Sequence, residues 1–284
     1  MEIIKSDKFS TKIAVQSGLI NLTKTFDCGQ CFRWDKIGSL FTGITNKGIL
    51  HIKELGTNQG KDYFIISEPE NNIQYVVDYL GLNDDYSYLS TIQLTDIEKS
   101  MVEFGKGIRI LHQDIWETIV SFIISQRNNI PKIKTSINRL CDRLGSDNNK
   151  NYYDRFEQFK MFPTAEQILT GGRKVLDDCG LGYRTDYILL IAQEFINNKA
   201  EFLKYLGDEY TGQETVDFLQ QFKGIGPKVA NCIALFGYNK LDMFPIDVWI
   251  QRAIDKEFNG SIDIYKYGKL AGLMQQYIFY YEKN

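Results

Sequence analysis

The 284-residue sequence supplies no global positive field, because 33 Lys and Arg stand against 36 Asp and Glu for a formal net charge of −3. Attraction to a polyanion therefore has to come from local clusters. Cysteines are few, odd in number and scattered, at Cys28, Cys31, Cys141, Cys179 and Cys232. That usage argues against a disulfide framework and for a reducing compartment. Cys28 and Cys31 form a lone C-x-x-C that no second pair or nearby His completes into a zinc site. An iron–sulfur cluster needs about four neighbouring thiolates, and no cysteine follows Cys232. No apolar run approaches the roughly 20 residues that span a bilayer. Met1 to Ser10 is charged rather than apolar, so neither a signal peptide nor a membrane partner is expected, and the protein reads as intracellular. Internal repeats and low-complexity stretches are also missing.

What is present is ordinary globular material: 43% hydrophobic, 24% charged, with 18 Phe and 17 Tyr. A chain of this length can bury two or three compact units. Short β-branched or aromatic segments at Cys31–Trp34, Leu40–Thr45, Gly48–Lys53 and Tyr63–Ser67, punctuated by Gly, Asn and Asp, predict antiparallel strands. A helix is expected over Asn72–Leu80, then a turn at Asn83-Asp84-Asp85. After Gly107 the pattern becomes helical. Asp114 caps a helix over Ile115–Ser125, and Gln126-Arg127-Asn128-Asn129 breaks it. Pro131 fits the first turn of the next, which runs to Leu144. Thr164 opens another. Further helices are expected at Tyr183–Asn197, Gln213–Phe222, Pro227–Gly237, Val248–Glu257 and Tyr265–Tyr281. Sheet first and helices after give an α+β class, with an N-terminal antiparallel β-sheet domain over 1–106 and an all-α region over 107–284.

Two local basic patches exist. Arg127, Lys132, Lys134, Arg139 and Arg143 face one acid, Asp142; Lys223, Lys228 and Lys240 face none within residues 221–240. The plain alternative for each is a solvated helix face. The second patch holds Phe222-Lys223-Gly224-Ile225-Gly226-Pro227-Lys228 between two predicted helices. Gly224 and Gly226 permit a tight hairpin, and Pro227 starts the next helix without losing an amide bond. The free N–H groups suit a phosphate. Lys228 in the first helical turn is ordinarily a solvated charge. Here the helix dipole and Lys223 would favour its neutral, nucleophilic form. Asp247, nineteen residues later, reads as an N-cap, and a fixed cap carboxylate can also stabilise positive charge developing on a sugar. Lys228, Cys232 and Phe236 share one helix face, and Gln275 and Phe279 another. Core packing is the competing reading for Cys232, Phe236 and Phe279.

With Pro245-Ile246-Asp247-Val248, the hairpin run through Val229-Ala230-Asn231-Cys232 resembles the helix-hairpin-helix DNA glycosylases, and within them the 8-oxoguanine DNA glycosylases. Gly29-Gln30-Cys31-Phe32-Arg33-Trp34, Gly107 to Asn129, Gly180-Leu181-Gly182-Tyr183-Arg184, and Gln275 with Phe279 extend the resemblance over most of the chain. It implies a bifunctional enzyme, glycosylase and abasic-site lyase, with no cofactor or metal. Its partner would be double-stranded DNA containing 8-oxoguanine. It would act as a monomer, in the cytoplasm or at the nucleoid of a bacterium or in the nucleus of a eukaryote. Lys228 would be the Schiff-base nucleophile and Asp247 its carboxylate. Gly29 would offer its carbonyl to the N7–H that 8-oxoguanine has and guanine lacks. Cys232 and Phe279 would sandwich the flipped base, Gln275 would read its edge, and Phe236 completes the substrate set. Asn128, Tyr183 and Arg184 would fill the gap, wedge the duplex and read the widowed base. Asn129, Lys223, Gly224 and Gly226 would lie against the DNA backbone. Three positions depart from the family: Arg127 replaces the gap-filling Asn, Lys132 an arginine fork, and Trp249 a phosphate-contacting histidine. Two alternatives remain at this level, a sister glycosylase for alkylated purines or oxidised pyrimidines, and a non-catalytic DNA clamp.

Overall fold

Alternation along short strands builds the N-terminal layer of the computed structural model, which describes residues 1–6, 10–67, 72–147 and 159–284. The strands are β1 (Glu2–Ser6), β2 (Thr11–Gln16), β3 (Trp34–Ile37), β4 (Leu40–Thr45), β5 (Gly48–Asn58) and β6 (Lys61–Ser67). They form one antiparallel sheet in the order β1-β2-β6-β5-β4-β3. In β2, Ile13 and Val15 turn inward, joined by Phe41, Ile52, Phe64 and Ile66 from the other strands. Helices α1 (Leu22–Asp27) and α2 (Ile73–Tyr79) pack on that face. Gly43 opposes Trp34, where a Cβ would stand 2.3 Å from the indole. The indole therefore lies flat, stacks on Phe26 at 3.9 Å and donates to the Tyr79 hydroxyl at 2.9 Å.

The predicted strand at Cys31–Trp34 is corrected: only Trp34 belongs to a strand, and residues 31–33 are irregular. The reason is that this stretch serves two cores. Cys28 and Phe32 belong to the helical core, while Cys31 belongs to the sheet core. A second seam behaves alike, with Ile108 and Ile110 in the helical core and Leu111 in the sheet core.

The helical layer comprises α3 (Asp96–Gly105), α4 (Ile115–Ser125), α5 (Ile130–Leu144), α6 (Ala165–Asp178), α7 (Arg184–Asn197), α8 (Lys199–Lys204), α9 (Gly212–Leu219), α10 (Pro227–Phe236), α11 (Val248–Glu257) and α12 (Ala271–Lys283). Local chemistry sets most starts: Asp114, Asn129, Thr164, Thr211 and Asp247 each accept a first-turn amide as N-cap. The helix expected over Tyr265–Tyr281 is broken. A 3₁₀ turn over Tyr265–Leu270 bends at Gly268, φ +52°, before α12 begins. Between the layers, buried Arg33 faces Glu117 of α4 at 3.5 Å. Burial pushes the Glu117 carboxyl up to about 7, held back by the Arg33 guanidinium. Among the described residues no helix is long and apolar enough to cross a membrane, and no cluster of three His, Cys, Asp or Glu could hold a metal.

Candidate functional site

Helix α10 starts at Gly226, whose backbone supplies the N-cap without any side-chain bond. Pro227 has no N–H, and the Ala230 amide returns to the Gly226 carbonyl at 2.9 Å. The Lys228 and Val229 amides are thus left at an open, positive helix end. Gly224 makes the hairpin possible. Its φ is +93°, and a Cβ there would stand 2.3 Å from the Tyr187 ring. Gly226 is extended, and a Cβ there would meet nothing within 4 Å.

Lys228 is half-buried, with Nζ 5.6 Å from the centroid of the Phe122 ring. Asp247 caps α11 by accepting the Trp249 and Ile250 amides at 3.0 Å, both on Oδ1. Oδ2 receives no hydrogen bond among the described residues, so it keeps its acceptor capacity. Cys232 lies one turn beyond Lys228. Burial pushes its thiol up, the Lys228 ammonium pulls it down, and the Asp247 carboxylate pushes it up again. One sulfur thus feels both charges, although nineteen residues separate Lys228 and Asp247 in sequence.

Across from α10, helix α12 carries Gln275 and Phe279, both buried. Gly29 sits at φ +78°, and a Cβ there would approach the Phe279 ring to 3.1 Å. Gly29 and Phe279 therefore meet in space. Phe236, expected in the substrate set, is buried with its ring stacked on Phe122 at 5.4 Å, behind the ring that lies beneath Lys228. Cys28 and Cys31 are free and buried. Burial raises the Cys28 thiol to about 12, leaving it an inert packing group.

Three loops converge on Gln126, a residue that carries no motif of its own. Its Nε2 donates to the Gly224 carbonyl of the hairpin at 2.9 Å. Its carbonyl accepts Arg184 Nε at 3.0 Å, with a second bond from Nη2, and the Tyr183 hydroxyl at 3.5 Å. Arg184 also donates from Nη1 to Leu181 at 3.2 Å and from Nη2 to Arg127 at 3.5 Å. At 6% exposure it is no surface charge. Its fork clasps these carbonyls together. Tyr183, 48% exposed, projects beside it. Arg127 is exposed at the loop tip with φ +48°. Asn128 folds back to the Ile124 carbonyl at 3.3 Å, and Asn129 caps α5 through the Lys132 amide at 3.0 Å. Lys132 and Lys223 are exposed.

The basic patches are smaller than their sequence suggests. Buried Lys240 donates to the Gly207 and Tyr210 carbonyls, both at 2.8 Å. Lys134 donates to the Trp34 carbonyl and pairs with Asp35, and Arg143 pairs with Asp178. Trp249 is half-buried with the Arg252 guanidinium 5.5 Å from its ring.

Comparison with known proteins identifies the family. Residues 12–119 match the 8-oxoguanine DNA glycosylase N-terminal domain, and residues 120–264 match the HhH-GPD superfamily base excision DNA repair protein family. The N-glycosylase/DNA lyase of Saccharomyces cerevisiae is 27% identical over 273 residues, covering 88% of this chain and 71% of that protein. The structure of MBOgg1 in complex with a low-affinity DNA ligand superposes with a TM-score of 0.87 at 31% identity, covering 100% of this chain and 99% of that one. The 8-oxoguanine glycosylase/lyase of Clostridium acetobutylicum, in complex with double-stranded DNA containing cytosine opposite 8-oxoguanine, gives 0.85 at 29% identity, covering 100% and 99%.

Proposed function

The chain belongs to the HhH-GPD superfamily of base excision DNA repair proteins, and from that membership we infer that it is a bifunctional DNA glycosylase and abasic-site lyase that removes 8-oxoguanine from duplex DNA. The observation that carries this reading is the joint placement of Lys228 and Asp247 at two helix N-termini, with Cys232 in reach of both. The names of the relatives, which pair glycosylase with lyase, support the same chemistry.

The duplex binds first to the convergent loops. The open amides at the start of α10 and the hairpin take a phosphate, Lys223, Lys132 and Arg127 add charge, and Tyr183 wedges the stack. Tyr183 needs no reorientation to reach solvent. The damaged base leaves the stack for the space between Cys232 and Phe279, with Gln275 at its Watson–Crick edge and the Gly29 carbonyl at N7–H. Guanine presents a lone pair there and is repelled.

As the C1′–N9 bond breaks, its electron pair leaves with the base, which takes up a proton. The Asp247 carboxylate offsets the positive charge left on the sugar. The Lys228 amine, in its neutral form, adds to C1′ and loses its protons as the sugar ring opens to a Schiff base. Removal of a C2′ proton then expels the 3′ phosphate. The enzyme acts where the DNA is, at the nucleoid or in the nucleus, as a monomer.

Borohydride reduction during turnover on an 8-oxoguanine duplex is expected to trap a covalent adduct with the wild type and none with Lys228→Gln. An adduct that survives the substitution sinks the nucleophile assignment.

A further inference from the structure

Gln30 follows the proposed specificity residue directly, yet the chemistry above gives it no task. It is 1% exposed and held on every side. Its Nε2 donates to the Thr25 carbonyl at 2.9 Å and to the Arg109 carbonyl at 2.8 Å, and lies 3.2 Å from Cys28 Sγ. Its Oε1 accepts the Leu111 amide at 2.8 Å. Its own carbonyl accepts Gln113 Nε2 at 2.8 Å. The neighbouring Gly29 carbonyl, by contrast, receives no hydrogen bond among the described residues.

That carbonyl belongs to the peptide plane joining Gly29 to Gln30. Gly29 has no Cβ to limit rotation of the plane, and its φ of +78° is one that glycine adopts freely. The direction of the oxygen is therefore set by whatever fixes residue 30. An acceptor discriminates N7–H from a lone pair only if it cannot turn away from the lone pair, because a mobile dipole relaxes and the repulsion vanishes.

We propose that Gln30, with Gln113 behind it, is a positioning residue that holds the Gly29 carbonyl on the N7 position and so sets the discrimination of 8-oxoguanine from guanine. The inference rests on the substrate reading above and adds a specificity determinant to it. Neither glutamine touches the base. Gln30 acts through the Gly29–Gln30 peptide plane, and Gln113 steadies residue 30 from the next plane, whose carbonyl it holds.

The test separates base recognition from sugar chemistry. Cleavage of a preformed abasic site uses Lys228 but no base, so it is blind to the Gly29 carbonyl. Single-turnover release of 8-oxoguanine and abasic-site cleavage are measured side by side for wild type, Gln30→Met and Gln113→Met. Binding of an 8-oxoguanine duplex relative to a plain guanine duplex is measured as well. Gln113 is half-buried and contributes one bond, so its variant folds even if Gln30→Met does not. Expected for Gln113→Met are a fall of about tenfold in base release, a narrowed binding ratio, and abasic-site cleavage within about twofold of wild type. Equal losses in both reactions, or no loss in either, would overturn the proposal. A wild type that cleaves abasic sites without releasing 8-oxoguanine overturns the substrate reading first, and this one with it.

Discussion

Arg127 holds a backbone conformation that suits glycine or asparagine, at the tip of the loop nearest the convergence on Gln126. An L-residue with a long side chain is strained there, and such strain persists where the side chain is needed. Arg127→Asn should therefore raise stability by about 0.5–1 kcal/mol while weakening affinity for a lesion duplex. Urea unfolding and a duplex titration give the two signs, and an unchanged affinity would remove Arg127 from the interface. Glu117 supplies a second residue-scale expectation. Its folded pKa, about 7, lies above the usual carboxylate value, so the folded protein keeps a proton that the unfolded chain gives up. Its contribution is then fully present below about pH 4.5 and is lost as pH rises through about 7. His51, whose pKa is lowered by burial, works in the opposite direction. The comparison with Glu117→Gln isolates the carboxyl: wild-type stability should fall by roughly 1–3 kcal/mol more than the variant's between pH 5 and pH 8.

Among the elements, α11 is capped by Asp247, the residue proposed to stabilise the sugar's positive charge. Asn caps a helix as well as Asp does, so Asp247→Asn should leave stability within about 0.5 kcal/mol while lowering base release on the order of a hundredfold. Thermal melts and single-turnover excision decide it, and intact excision would leave Asp247 as a cap alone. Capping also explains what the sequence made legible. The starts of α4, α6 and α11 follow from Asp114, Thr164 and Asp247, because an N-cap is written within four residues. Strand β1 was not legible, since all of its residues are exposed and no alternation marks it. The break at Gly268 is set by Tyr88, whose hydroxyl would stand 2.8 Å from a Cβ there, a contact between segments 180 residues apart. At the site, Lys228, Asp247 and the glycines carried their own signals. Gln126 and the engaged state of Lys240 and Arg184 did not. Their partners are backbone carbonyls, which every residue has and no letter records.

Taken as a whole, the molecule must bind a polyanion while carrying a net charge of −3. The exposed cations left for that task by the structure are local, with Lys223, Lys132 and Arg127 near the convergent loops. Duplex affinity should therefore fall steeply with salt, and Lys223→Gln should shallow the log–log slope by about one. Lys240→Gln should leave that slope alone, because its ammonium is bound to two carbonyls. Equal slopes for wild type and Lys223→Gln would place the hairpin lysine off the interface.

The two seams, residues 28–32 and 108–111, alternate between the sheet core and the helical core, and the Gln30 side chain ties one to the other. Such stitching makes the layers a single cooperative unit rather than two exchangeable modules. Cutting away the sheet exposes one side of the seam that bears Gly29. On the proposed reading, the selectivity of chemistry centred on Lys228 and Asp247 rests on a layer that holds neither residue. Replacing the sheet layer would therefore disturb the packing of both cores rather than exchange one specificity for another.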